Sequence, residues 1–324
     1  MSGGIGADVS RRALHLVPVL LGVSLLAFGV ANLAPGDPAE IMLLRQTGQA
    51  PDAQSVAHLR EQLGLDRPFA IRYAVWLGNA ARGELGVSYR TGTPVLRVLA
   101  ERFPATVELA VSALLVSIAF AIPLGVIAAI SRNSVGDNIA RLIALLGTSI
   151  PSFVLAYLLI LVFAVALRLL PVAGYDGWRY LVLPVLTLAI GESAALARLI
   201  RANMLEVLGQ DYVRTATAKG VPRRMVLVRH ALKNALNPVV TLAGIRIGRL
   251  LGGAAIVETI FARPGIGKTI VDAIHDRDYP VIQGFVLFTG TVFVLANLLV
   301  DLSYAWLDPR ARLNDRPGEA RGAA

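Results

Sequence analysis

The chain has 324 residues, 55% hydrophobic and 16% charged, with a mean hydropathy of +0.63, no cysteine and a net charge of +9. Soluble domains run nearer to about 45–50% apolar and about 25% charged, so a bilayer is the natural solvent for the excess. The apolar content excludes disorder, the lack of short repeats excludes a collagen-like or low-complexity fibre, and the missing thiols exclude a disulfide framework, a thiolate zinc site and a cysteine nucleophile.

A helix crossing a hydrocarbon layer of about 30 Å needs roughly 20 apolar residues. The first such run, Leu16 to Gly36, follows Arg11 and Arg12. It is too long for the h-region of a signal peptide and has no A-x-A-like site before Pro35, so it reads as a retained span. In the segment 37–103, Ala57 to Leu63 predicts a short helix, Gly64-Leu65-Asp66-Arg67-Pro68 a stop with turn chemistry, and Phe69 to Leu77 a second helix with aromatic anchors. Together they predict a small folded cap. Uncharged runs follow at Leu109 to Ser131, Leu142 to Leu167 and Tyr279 to Val300. Two further runs carry charges: Tyr180 to Ile200 with Glu192 and Arg198, and Asn237 to Val257 with Arg246 and Arg249. The expectation is an all-α polytopic membrane protein with six spans. Its divisions are residues 1–36 (N-terminus and first span), 37–103 (cap), 104–306 (membrane core, with a loop at 203–236) and 307–324 (tail).

The placement of Lys and Arg near span ends sets orientation. With the N-terminus in the cytoplasm, the inside segments are 1–13, 132–141, 198–237 and 307–324. The third holds Arg198, Arg201, Arg214, Lys219, Arg223, Arg224, Arg229 and Lys233, and the tail adds Arg310, Arg312, Arg316 and Arg321. The arginines of the outer segment are nearly balanced by Asp37, Glu40, Asp52, Glu61, Asp66, Glu84 and Glu101. A basic balance fits nucleic-acid binding or membrane topology; this distribution favours topology, with both termini cytoplasmic and no nucleic-acid partner. Trp178, Tyr180, Tyr304 and Trp306 read as interfacial anchors. His15, His58, His230 and His275 have no metal-ligand spacing, so no metal is expected.

Between the fourth and fifth runs, periodicity predicts a helix up to about Lys219, a break at Gly220-Val221-Pro222 and a second helix from about Arg223 to Leu236. Gly220 can adopt φ > 0 as a helix stop and Pro222 suits a first helical turn. The product is a rigid two-helix knob, on which the small residues Thr215, Ala216, Thr217 and Ala218 would let a partner approach closely. A solvated basic loop that serves only topology is the alternative.

Ionisable groups within spans must face protein or water. Arg246 and Arg249 share one helix face, with Glu192 as the obvious counter-charge and Glu258 as another. These residues either line a route for a polar substrate or form a structural ion pair between helices. The segment Ala262-Arg-Pro-Gly-Ile-Gly-Lys268-Thr269 fits a relaxed P-loop. A phosphate cradle needs a preceding buried strand and an opening helix, whereas here a membrane run precedes and the topology puts the motif outside. It reads as a chain reversal.

The loop Asp211-Tyr212-Val213-Arg214-Thr215-Ala216-Thr217-Ala218-Lys219-Gly220 resembles the coupling loop of binding-protein-dependent ABC transporter permeases of the peptide and nickel branch, where D-Y-V-R-T-A-x-A-K-G is typical. Gly220 matches the general EAA motif, whereas Arg214-Thr215-Ala216 departs from its Glu-Ala-Ala, and His230, Leu232 and Lys233 stand where Ile, Leu and Pro would be. The resemblance covers nearly the whole chain. It includes Pro-Gly-Asp-Pro at 35–38, Gly-Leu-Asp-x-Pro at 64–68, Gly-x-Leu-Gly-x-Ser at 83–88 and Arg-x-Pro-x-Thr-x-Glu-Leu at 102–109. Further on come Pro-Gly-Ile-Gly at 264–267, Arg-Asp-Tyr-Pro-Val-Ile-Gln-Gly at 277–284 and Leu-Asp-Pro-Arg at 307–310.

The resemblance implies a type I ABC importer permease fold with a cytoplasmic coupling helix between helices 4 and 5, in a bacterial inner membrane. Expected partners are a second homologous permease, two cytoplasmic ATPase subunits that hold the ATP and magnesium, and an extracytoplasmic binding protein. The chain itself would bind no cofactor and catalyse nothing. Asp211, Tyr212, Arg214, Thr215, Ala216, Ala218, Lys219, Gly220 and Pro222 would couple to the ATPase, and Glu192, Arg246 and Arg249 would border the pathway. The implied cargo is a di- or oligopeptide. The rivals are a nickel or metal-chelate importer, a secondary transporter and an ATP-binding enzyme using Lys268.

Overall fold

The computed structural model describes residues 5–33 and 36–307. Regular structure among these is helical, apart from an isolated antiparallel bridge between Val87 and Pro94. Two compact units result, residues 1–107 with 252–294, and residues 108–251 with 295–324. Pro35, the basic tail beyond Leu307 and most of the Leu-Asp-Pro-Arg motif lie outside the described residues.

The first unit begins with α1 (Ile5–Leu33), followed by α2 (Pro38–Thr47), α3 (Ala53–Gln62) and α4 (Phe69–Ala80). Local chemistry sets these boundaries. Asp37 and Asp52 cap α2 and α3 by accepting from the amides of Ala39 and Ser55, and Gly48 ends α2 at φ 69°. Gly64, at φ 63°, reverses the chain before Pro68 opens α4. The predicted short helices therefore form and are longer than expected, while α2 had no hydrophobic period to announce it. Phe28 of α1 packs against Phe69, Tyr73 and Trp76 of α4, with ring centroids 5.2–5.6 Å apart. From the far end of the chain come α13 (Ala255–Ile260) and α14 (Ile266–His275). Leu85, Val95, Leu99, Ile266, Ala273 and Val281 make this unit's core, and Phe103 meets Phe288 edge-on at 5.2 Å.

The second unit contains most of α5 (Val95–Ile130), then α6 (Val135–Ser149), α7 (Ser152–Leu159, continued by a π-helical stretch to Ala166), α8 (Arg179–Leu208), α9 (Asp211–Ala218), α10 (Arg223–Met225), α11 (Lys233–Ala235) and α12 (Asn237–Gly253). A π-helical stretch, Val226–Leu232, joins α10 to α11. α8 is the central element. Leu196, Ala197, Ile200 and Met204 pack with Ala121 and Ala129 of α5 and with Ala231, Ala235 and Val239. Leu250 of α12 closes a smaller cluster with Ala110 and Leu114. Glycine allows the close approaches. A Cβ on Gly125 would lie 2.7 Å from Ile200 Cβ and 2.8 Å from the Ala197 carbonyl, and one on Gly147 would lie 3.1 Å from Ala194 Cβ. Lipid tails are as apolar as leucine, so helices associate in a bilayer through such backbone contact rather than through the hydrophobic effect.

By length and composition, three helices among the described residues can cross a membrane: Val95–Ile130, Arg179–Leu208 and Tyr279–Leu298, the last within α15 (Tyr279–Leu307). They correspond to the predicted second, fourth and sixth runs. The predicted third run is not one straight helix, because α6 and the α7 segment are bent by 104° and make a fourth span only if taken together. Pro151 is the cause: it cannot donate an N–H, and it pushes Ile150 to φ −79°, ψ 122°. The apolar stretch of α1 is the shorter Leu16–Val30, and the fifth run breaks at Ala254, leaving α12 with 17 residues. The helical membrane fold therefore holds, and among the described residues six uninterrupted spans are not seen.

The packing at α8 gives a direct test. Gly125→Val should destabilise the purified protein by about 1–3 kcal/mol through overpacking. Gly22→Ala, where a Cβ would meet nothing within 4 Å, should leave the thermal unfolding midpoint unchanged.

Candidate functional site

The knob forms where the sequence places it. α8 ends at Leu208, and α9 is anchored by buried Val213 and by Tyr212, whose hydroxyl accepts from Asn234 Nδ2 at 2.8 Å. The stop after α9 is a Schellman motif: Val221 N donates to Ala216 O at 3.2 Å and Gly220 N to Thr217 O at 3.0 Å, with Gly220 at φ 76°. Pro222 then opens the next helix, and its carbonyl accepts from Met225 N at 2.8 Å. Asp211, Tyr212, Arg214, Thr215, Ala218, Lys219, Gly220 and Pro222 are exposed on this elbow, and Ala216 is half-buried. The hydroxyls of Thr215 and Thr217 donate to carbonyls one turn back, at 2.9 Å each. The elbow carries the exposed cations Arg214, Lys219, Arg223 and Arg224, with Arg214 only loosely paired to Asp211 at 3.7 Å.

The structure brings together three of the four charges of the fourth and fifth runs and leaves Arg198 apart. Glu192 of α8 accepts from both Arg246 and Arg249 of α12. The Glu192 side chain is 13% exposed and that of Arg246 17%, whereas Arg249 is 63% exposed. Arg246 Nε is buried with no acceptor among the described residues. Glu258, the other proposed counter-charge, takes no part in this cluster.

Glu258 has a different role. It is fully buried, and its carboxylate accepts from Thr106 Oγ1 at 2.6 Å and from the Lys268 amide at 2.9 Å; the same Thr106 oxygen accepts from Ile266 N at 2.9 Å. The Pro264-Gly265-Ile266-Gly267 turn wraps this carboxylate so closely that a Cβ on Gly265 would collide with it, and one on Gly267 would lie 2.6 Å from Ala255 Cα. Backbone N–H groups at a helix N-terminus are a ready anion site. Here the first turn of α14 already holds an anion supplied by the chain. The Lys268 ammonium pairs with Asp272 at 2.6 Å. The P-loop-like string is therefore a chain reversal that opens α14, and its Lys268 amide is taken up by Glu258.

A second carboxylate clamp joins two other motifs. Asp278, 3% exposed, accepts from Ser88 Oγ at 2.5 Å, Tyr89 N at 3.1 Å and Arg90 N at 3.3 Å, so the segments 83–88 and 277–284 are one contact. Burial, together with nearby Asp278, pushes the Tyr89 phenol up to about 12 and keeps it a neutral hydrogen-bonding group. Arg60 binds Asp37 and Asp66, which ties the Pro-Gly-Asp-Pro and Gly-Leu-Asp-x-Pro segments together; those two carboxylates raise the Arg60 pKa.

Sequence reasoning missed one cluster. Asp137, at the start of α6, is fully buried and receives two bonds from Arg201 of α8, from Nε at 2.8 Å and Nη2 at 2.7 Å, and a third from Asn133 N at 3.0 Å. Arg201 had counted only as a topological charge. The available signal was Asp137 itself, the lone acid in a basic segment, three positions after the cap residue Ser134.

Comparison with known proteins agrees with this architecture. Residues 121–313 match the family described as binding-protein-dependent transport system inner membrane component, and residues 8–110 match its N-terminal region. The chain is 42% identical over 304 residues to the glutathione transport system permease protein GsiC of Escherichia coli O6:H1, covering 94% of this chain and 98% of the relative. It is 41% identical over the same length to that of Shigella flexneri serotype 5b, with the same coverage. Among solved structures, the MetNI methionine ABC transporter in inward-facing conformations matches with a TM-score of 0.54 at 18% identity, covering 68% of this chain and 98% of that one. An amino acid ABC transporter with histidines matches with 0.52 at 17%, covering 65% and 94%. At these identities the likeness establishes the fold, which is that of an ABC importer permease.

Removing one partner of a buried ion pair strands the other. Arg201→Ala should therefore cost about 3–5 kcal/mol, read as a lower unfolding midpoint of the purified protein, and Asp137→Ala with Arg201→Ala should recover more than half of the loss. A double-variant loss equal to the sum of the two single losses would show that the pair is not coupled.

Proposed function

The chain belongs to the binding-protein-dependent transport system inner membrane component family, and from this premise we propose that it is the peptide-translocating permease half of an ATP-driven importer. It is a multi-pass inner-membrane permease subunit, not an enzyme, and family membership removes the secondary-transporter and ATP-binding-enzyme alternatives. The observation that supports a peptide cargo is the 42% identity to a glutathione permease over nearly the full length of both chains, glutathione being itself a small peptide. In this proposal the partners are a second homologous permease, two cytoplasmic ATPase subunits that bind ATP and magnesium, and an extracytoplasmic binding protein. Both termini lie in the cytoplasm and the segment 37–103 caps the outer face.

The exposed elbow around Arg214 to Pro222 is the element we assign to the ATPase. A coupling device has to be rigid, because a push transmitted through a flexible loop would be lost in loop motion. The Schellman stop and the Tyr212–Asn234 bond supply that rigidity. Closure of the ATPase pair would move the elbow and bias the membrane helices between inward-open and outward-open states. Glu192, Arg246 and Arg249 fit the border of a route for a polar cargo, since Arg249 stays largely exposed while its carboxylate partner is buried.

Gly220 separates backbone from contact effects. A Cβ there would meet nothing within 4 Å, so any penalty comes from the left-handed backbone. Gly220→Val should strain the elbow by about 1–2 kcal/mol or more and lower ATP-dependent peptide uptake at least severalfold without loss of membrane insertion. Gly220→Asn, which tolerates this conformation, should retain most uptake. Unchanged transport by a correctly assembled Gly220→Val complex would overturn the coupling assignment, and uptake of a nickel chelate but not of peptides would move the cargo to the nickel branch.

A further inference from the structure

In the first unit, α1 and α4 enclose a cavity of about 230 Å³ that the transport reading does not use. Its walls include Phe28, Arg67, Arg72, Val75, Trp76 and Tyr89, and no Asp or Glu lines it. The Arg72 guanidinium lies over the Phe28 ring at 5.9 Å from the centroid, which fixes the cation on an aromatic face and leaves its donors available. The neighbouring carboxylates are engaged elsewhere, Asp37 by Arg60 and the Ala39 amide, Asp278 by Ser88 and two backbone amides. Neither Arg67 nor Arg72 forms an ion pair among the described residues. Trp76 adds an indole N–H that is buried with no acceptor among those residues. The cavity therefore presents two guanidinium groups and an unused donor, with no anion to satisfy them.

The surroundings indicate what the anion is attached to. Phe69, Ile71 and Val75 of α4 are exposed, as are Leu25, Leu26 and Val30 of α1, so an apolar surface continues from the membrane helix to the cavity wall. A site for a freely soluble anion would open onto polar surface. Trp, Tyr and Arg beside an apolar helix face are the composition of a membrane–water interface, and guanidinium forks match phosphate oxygens. We propose that this cavity binds the phosphate of an anionic phospholipid headgroup, with Arg67, Arg72 and Trp76 as donors and α1 and α4 bordering the acyl chains. The proposal rests on the family's membrane residence and is independent of the cargo.

The test uses the full-length chain reconstituted with its partner subunits. Native mass spectrometry should find phosphatidylglycerol retained over phosphatidylcholine by about thirtyfold, as two arginines near a charged surface would give. Arg67→Gln with Arg72→Gln should abolish the preference and Arg67→Lys with Arg72→Lys should keep part of it. Because the glutamine variant could fail to fold, a second measurement uses the purified full-length chain alone with Trp178→Phe and Trp306→Phe, which leave Trp76 as its single tryptophan. Brominated phosphatidylglycerol should then quench Trp76 at severalfold lower mole fraction than brominated phosphatidylcholine. Equal quenching by the two lipids, a preference that persists in a folded glutamine variant, or displacement of the lipid by inorganic phosphate or glutathione would each overturn the proposal. The last outcome would mark a site for a soluble anion.

Discussion

An ionised carboxylate removed from water must be saturated by donors from the same chain, and much of this structure is arranged around that requirement. Asp137, Glu258 and Asp278 are buried, and Glu192 is nearly so. Each draws its donors from a segment distant in sequence: Asp137 from Arg201, Glu192 from Arg246 and Arg249, Glu258 from Thr106, and Asp278 from the turn at 88–90. The cost of leaving any of them unpaired fixes which segments meet. In a bilayer the hydrophobic effect does not choose among apolar helix faces, so polar pairing of this kind supplies specificity that apolar packing lacks.

The two kinds of clamp act differently. Glu258 and Asp278 are held chiefly by hydroxyl and backbone N–H donors, which tie a turn to a helix and leave little freedom in either. Asp137 and Glu192 are held by arginines, whose long side chains reach between α6 and α8 and between α8 and α12. Both of these contacts, Arg201 to Asp137 and Arg246 with Arg249 to Glu192, include α8, the helix that leads into the exposed elbow. α8 is thus tied to its neighbours by strong, directional contacts as well as by the small-residue packing at Gly125 and Gly147.

Several parts of this arrangement were legible in the sequence. The elbow was readable because its determinants are local: a glycine able to take positive φ, a proline two residues later and small residues before them. The Glu192, Arg246 and Arg249 cluster was readable because charges in apolar runs must find one another. The short motifs were visible only as isolated strings. Gly-x-Leu-Gly-x-Ser and Arg-Asp-Tyr-Pro gain meaning once Asp278 is seen to accept from Ser88, and Arg-x-Pro-x-Thr once Thr106 is seen to donate to Glu258. The P-loop-like string shows the opposite case, in which local geometry was recognised correctly but its anion is internal.

The sequence by itself determined the solvent of this protein, the approximate positions of its apolar runs and the shape of its elbow, since hydropathy, glycine and proline act over a few residues. Tertiary structure alone decided that Arg201 is a structural partner rather than a topological charge and that Thr106 meets Glu258. These contacts join residues 64 and 152 positions apart. Linear order does not say which buried carboxylate will find which donor; only the folded chain does.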